Sequence, residues 1–95
     1  MASTTSQITV LYFAAAKDAI GAAEERVNLP DDKQLALSDL PSFLLKLHDN
    51  SSALKEALRR SALSVNEEMV LRDDEAITIL KAGDVVAVIP PVSGG

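Results

Sequence analysis

The longest apolar runs in the chain lie near its two ends, Ile8-Thr9-Val10-Leu11-Tyr12-Phe13 and Val85-Val86-Ala87-Val88-Ile89. Both are rich in β-branched or aromatic residues and too continuously apolar for a strand with one solvated face, so they predict interior strands lying side by side. Glu25-Arg26-Val27-Asn28-Leu29 alternates polar and apolar residues before Pro30-Asp31-Asp32, the pattern of a second strand that ends in a turn and pairs with the first as a hairpin. Between these two, Ala14 to Ile20 offers a short helical turn closed by Gly21, a residue that readily takes the left-handed conformation of a helix end. Leu40, Phe43, Leu44 and Leu47 then fall at i, i+3, i+4 and i+7. They predict the main helix, with Ser38 as its N-cap and Pro41 tolerated in its first turn. After the turn-rich His48-Asp49-Asn50-Ser51-Ser52, the run from Ala53 to Leu58 repeats the helical spacing more briefly. Leu63 to Asn66 and Met69 to Leu71 flank Glu67-Glu68 as a small hairpin, and Ala82-Gly83-Asp84 turns the chain into the last strand.

The order strand, strand, helix, further strands gives an α+β arrangement in which the helix covers one face of a mixed sheet, and a ubiquitin-like β-grasp fold fits it. At 95 residues the chain suits one small domain with a core but without the bulk to enclose a roomy cleft. Residues 1–7 read as a short disordered lead-in, 8–89 as the domain and 90–95 as an extended tail. The lead-in has no basic start followed by an apolar run, and no stretch of about 18 apolar residues could span a membrane. A cytoplasmic protein with no membrane partner is expected.

Composition narrows the chemistry. Net charge is -5 and no basic cluster exceeds Arg59-Arg60, so the attraction that drives nucleic-acid binding is missing. With no cysteine there are no disulfides, thiolate metal sites or cysteine nucleophile. His48 is the sole histidine and is expected to be structural or solvated, with no metal to hold. Asp31-Asp32 and Asp73-Asp74-Glu75 lack the spacing of a calcium loop, and Gly83 has no phosphate-binding loop around it.

The chemistry is expected in the tail, Ile89-Pro90-Pro91-Val92-Ser93-Gly94-Gly95. Each proline fixes φ near about -65° and lacks an N–H, so the chain should leave its last strand stiff and extended. Gly94 and Gly95 have no Cβ and can enter a channel too narrow for other residues. A Gly-Gly carboxylate on such an arm suits insertion into a partner's active site. An incidental frayed end is the plain alternative.

The first strand through Ala14 with Gly21, then Val65-Asn66-Glu67-Glu68, then Gly83 to Gly95 in register together resemble the MoaD-type small subunit of molybdopterin synthase. The resemblance runs nearly end to end, and the middle helices match only in pattern. It implies a β-grasp sulfur carrier with no stably bound cofactor. A ubiquitin-activating-type adenylyltransferase would join AMP from ATP to the Gly95 carboxylate, and a sulfur donor would displace AMP to leave a thiocarboxylate. It implies further that the tail enters the large, catalytic subunit of molybdopterin synthase and gives its sulfur to cyclic pyranopterin monophosphate, in a heterotetramer of two small and two large subunits.

Residue by residue, Gly95 matches the modified position and Gly94 the small residue needed for passage. Val92 and Ser93 match the segment gripped by the channel, and Ile89 and Pro90 an apolar docking surface. Lys17 matches a basic position in some relatives, and a solvated helix charge explains it equally well. Three alternatives stay open: a carrier for thiamine synthesis or tRNA thiolation, a ubiquitin-like modifier of target lysines, and an interaction module whose tail is incidental.

Overall fold

A computed structural model describes residues 6–30 and 34–91. The strands are β1 (Gln7–Tyr12), β2 (Glu24–Asn28), β3 (Leu35–Ala36), β4 (Ala62–Val65), β5 (Glu68–Val70), β6 (Ile79–Leu80) and β7 (Val85–Ile89). The helices are α1 (Ala14–Ile20), α2 (Leu40–Leu47) and α3 (Ser52–Arg60), with short 3-10 segments at Leu37–Asp39 and Arg72–Ile77. Five strands form one mixed sheet in the order β2-β1-β7-β4-β5, while β3 and β6 pair separately. This is the β-grasp arrangement expected from the element order.

The two apolar end runs sit where their composition places them, in the middle of the sheet. β1 pairs parallel with β7, Thr9 opposite Val85 through Tyr12 opposite Val88, and antiparallel with β2, Gln7 opposite Asn28 through Leu11 opposite Glu24. The first strand thus begins one residue earlier than the sequence suggested, at Gln7, and Leu29 N–H donates to the Ser6 carbonyl beyond it. The expected β1–β2 pair forms, but α1 and not a tight turn joins its strands.

Side chains alternate across a strand, so each sheet face can be read from the register. Ile8, Val10 and Tyr12 of β1, Val27 of β2, Leu63 of β4 and Val86 and Val88 of β7 point to the side covered by helices. They form one core with Ala16, Leu37, Leu40, Leu44, Leu54 and Leu58.

Local chemistry explains the ends of the elements. Gly21 closes α1 with φ of 85°, and its N–H donates to the Lys17 carbonyl at 2.8 Å. Nothing lies near an added Cβ there, so Gly21→Ala should cost only the left-handed backbone strain, about 1 kcal/mol. Urea unfolding with an unchanged m-value would show it. The β4–β5 hairpin turns on Asn66 and Glu67, both at positive φ, 51° and 74°. The Asn66 amide compensates by donating to Asp84 Oδ1 at 3.0 Å and accepting from Val85 N–H at 2.9 Å, which ties the hairpin to the start of β7.

Two expectations about the helices need correction. Ser38 is not an N-cap: the chain is already wound as a 3-10 segment from Leu37, and α2 continues from it with Asp39 at the boundary and no side-chain cap. The buried Leu37 drives this early winding, and its N–H donates to the Thr78 carbonyl at 2.8 Å. The side-chain cap lies instead at Ser51, whose hydroxyl accepts from Leu54 N–H at 3.2 Å and starts α3. The helix expected to be the lesser one has 9 residues against 8 for α2, and it buries Leu54, Ala57 and Leu58.

Candidate functional site

β7 is the middle strand of the sheet and delivers the chain to the tail. Alternation turns Ile89 toward the sheet face opposite the helices, where it is half-buried, and turns Pro90 toward the helix layer, where it is buried; Pro91 is exposed. The two expected docking residues therefore lie on opposite sides of the tail's root. Val92, Ser93, Gly94 and Gly95 fall outside the described residues, as does the turn at Asp31-Asp32.

The sheet face that Ile89 joins is mostly apolar across its middle strands. Leu11 of β1 lies opposite Ala87 of β7, Ala87 opposite Ser64 of β4, and Ser64 opposite Met69 of β5. In the next row Ile89 lies opposite Ala62. Met69 is 59% exposed, and Phe13, which follows β1 and whose N–H donates to the Val88 carbonyl, is 47% exposed. Toward β2 the face becomes polar, with Glu24, Arg26 and Asn28. An apolar patch with a polar margin beside the end of the central strand has the anatomy of a protein-docking surface.

The sequence reading singles out Ile89 and not Phe13 or Met69, which the register places on the same sheet face. In sequence Phe13 reads with the first strand and Met69 with a hairpin. The available signal was alternation: Phe13 is two residues beyond Leu11, on the face that the helices leave bare.

Titratable groups cluster on the other side and serve the fold. Tyr12 Oη donates to Glu25 Oε1 at 2.6 Å, and His48 Nε2 donates to the same oxygen at 2.8 Å, tying β1 and β2 to the end of α2. Burial, then the hydrogen bond to Glu25 and its negative charge, raise the Tyr12 phenol far above its ordinary value of about 10. The folded state keeps this proton where the unfolded chain releases it. The resulting stability is complete below about pH 10 and is lost as pH rises beyond it. Because Tyr12 is the only tyrosine, absorbance titration should show no phenolate signal until the protein unfolds.

A five-stranded mixed sheet gripping its helices on one face, with Pro90-Pro91 directly after its central strand, defines a ubiquitin-like β-grasp domain. The ThiS family model matches residues 10–95, and the chain belongs to the ThiS family. It is 36% identical over 89 residues to a molybdopterin synthase sulfur carrier subunit from Chlamydomonas reinhardtii, covering 94% of this chain and 99% of that one. Among solved structures, a putative molybdopterin converting factor subunit 1 from Pyrococcus furiosus superposes with a TM-score of 0.71 at 28% identity, covering 93% of this chain and all of the other. Subunit 1 or 2 in the complex of the two molybdopterin-converting factor subunits from Helicobacter pylori matches with a TM-score of 0.59 at 28% identity, covering 94% of this chain and 99% of that one. Among the described residues no helix is long and apolar enough to cross a membrane.

Proposed function

We propose that this chain is the sulfur carrier subunit of a molybdopterin synthase, working in the cytoplasm. The observation that carries the reading is the family match through residue 95, which includes Val92-Ser93-Gly94-Gly95 directly beyond the central strand. Relatives that bear this function in their names cover nearly the whole chain, and the Helicobacter complex supports a large-subunit partner.

A carboxylate oxygen is a poor leaving group, so Gly95 must first be activated. On a ubiquitin-activating-type adenylyltransferase, the Gly95 carboxylate attacks the α-phosphorus of ATP and expels pyrophosphate, giving an acyl adenylate. A donor of sulfide-level sulfur then attacks the carbonyl carbon and expels AMP, leaving a thiocarboxylate. This soft, largely ionised nucleophile is carried into the large subunit, where it passes its sulfur to cyclic pyranopterin monophosphate. A dithiolene holds two sulfurs, so two loaded carriers are consumed for each product, which suits an assembly of two small and two large subunits.

The domain's part is mechanical. It holds no cofactor stably. The open sheet face with Phe13, Met69 and Ile89 docks the partner, the prolines stiffen the exit, and Val92, Ser93 and Gly94 pass through the channel. Intact mass after incubation with ATP, a sulfur source and the activating enzyme tests this reading. The expected result is one oxygen replaced by sulfur, followed by return to the starting mass when large subunit and pterin are added. An unchanged mass under conditions that load a known carrier would overturn it, and higher-mass lysine conjugates would favour a protein modifier.

A further inference from the structure

The tail's root has a second side. Pro90 and Pro91 form one wall of an open groove of about 210 Å³, whose other walls are Ala15 of α1 and Ala53 and Ala57 of α3. The lining is mostly apolar, and its mouth carries Glu56 and Arg60. These two are not an equal pair. Glu56 engages Arg59, accepting at 2.7 Å from Nη2 and at 3.3 Å from Nε. Arg60 Nε lies 3.8 Å from Glu56 Oε2, beyond hydrogen-bond distance. Among the described residues Arg60 makes no side-chain hydrogen bond and only this loose ion pair with Glu56, so its guanidinium fork can turn to take a carboxylate in two hydrogen bonds beside an apolar slot.

Position narrows the occupant. The groove shares Pro90 and Pro91 with the tail, while Ile89 just before them opens on the docking face. Residues 92–95 follow directly from Pro91, a wall of the groove, so a protein that takes them in meets the groove at their root. We propose that it receives an apolar side chain of the large subunit, with a neighbouring partner carboxylate paired to Arg60. This rests on the carrier reading above. The large subunit then holds the root of the tail from the helix side as well as from the sheet face.

Binding of the purified full-length carrier to its cognate large subunit, measured by calorimetry at two salt concentrations, tests the idea with three variants. Ala53→Leu fills the groove from an exposed helical position that favours leucine nearly as much as alanine. Arg60→Gln removes the fork's charge, and Lys55→Gln removes a charge from another face of the same helix. Thermal melting of each variant should match the wild type. Ala53→Leu and Arg60→Gln should each weaken binding on the order of tenfold or more, and the Arg60→Gln complex should lose part of its salt dependence, while Lys55→Gln binds normally. Wild-type affinity in Ala53→Leu and Arg60→Gln, or equal weakening in all three variants, overturns the proposal. Failure of the wild-type carrier to bind any large subunit instead overturns the carrier reading itself.

Discussion

Removal of Gly95 should leave a protein that melts with the wild type yet gains no sulfur, a complete loss of function without loss of fold. Glycine has no side chain to contribute to a core, and among the described residues the buried apolar cluster ends with Val88. Its terminal carboxylate is nonetheless the only group the proposed chemistry can load, and in the shortened chain the new terminus ends one residue short of the reacting centre. Gly94→Ala is the subtler case, because the carboxylate survives at its normal distance. A Cβ in a passage fitted to glycine displaces the reacting carbon, and misplacement of about an ångström can slow transfer on the order of a hundredfold. Intact mass and single-turnover pterin conversion separate the two variants: the first is never loaded, whereas the second is loaded or discharged slowly. Normal conversion by Gly94→Ala would remove the argument for a narrow channel.

The second large effect is expected on the sheet face. Met69→Asp should weaken association with the large subunit on the order of a hundredfold, because a carboxylate would be buried without a partner within an apolar contact. Stability should barely change, since Met69 is largely exposed on the outermost strand of the sheet. Calorimetric titration and a thermal melt on the same sample give both numbers. Undiminished binding would mean that the partner approaches from elsewhere.

Much of this architecture could be read from residue patterns, and what escaped shares a cause. β1, β2, β4, β5 and β7 were legible because their residue types and turn punctuation carry a local signal. β3 and β6 have two residues each and exist only because they pair with each other, Leu35 opposite Leu80 and Ala36 opposite Ile79, a partnership no local window contains. The 3-10 segment Arg72–Ile77 reads in sequence as an acidic turn and takes its shape from backbone bonds such as Asp74 N–H to the Leu71 carbonyl.

The same limit applies at the site. The chemistry proposed for the tail is argued from residues that need no neighbours, and Ile89 from its place beside the prolines. Phe13 and Met69 become one surface only when β7 and β4 are laid between β1 and β5. The link between His48, Glu25 and Tyr12 likewise joins three elements that are distant in sequence.

The parallel pairing of β1 with β7 has a bearing on biosynthesis. The middle ladder of the sheet joins opposite ends of the chain, a long loop closure that no shorter fragment can complete. A nascent polypeptide stopped before Val85 has its first strand but no neighbour for it on that side. Under the proposed function the terminus to be activated follows in sequence the strand that completes the sheet, so an activating enzyme that recognised this strand's face would also sense whether folding has finished.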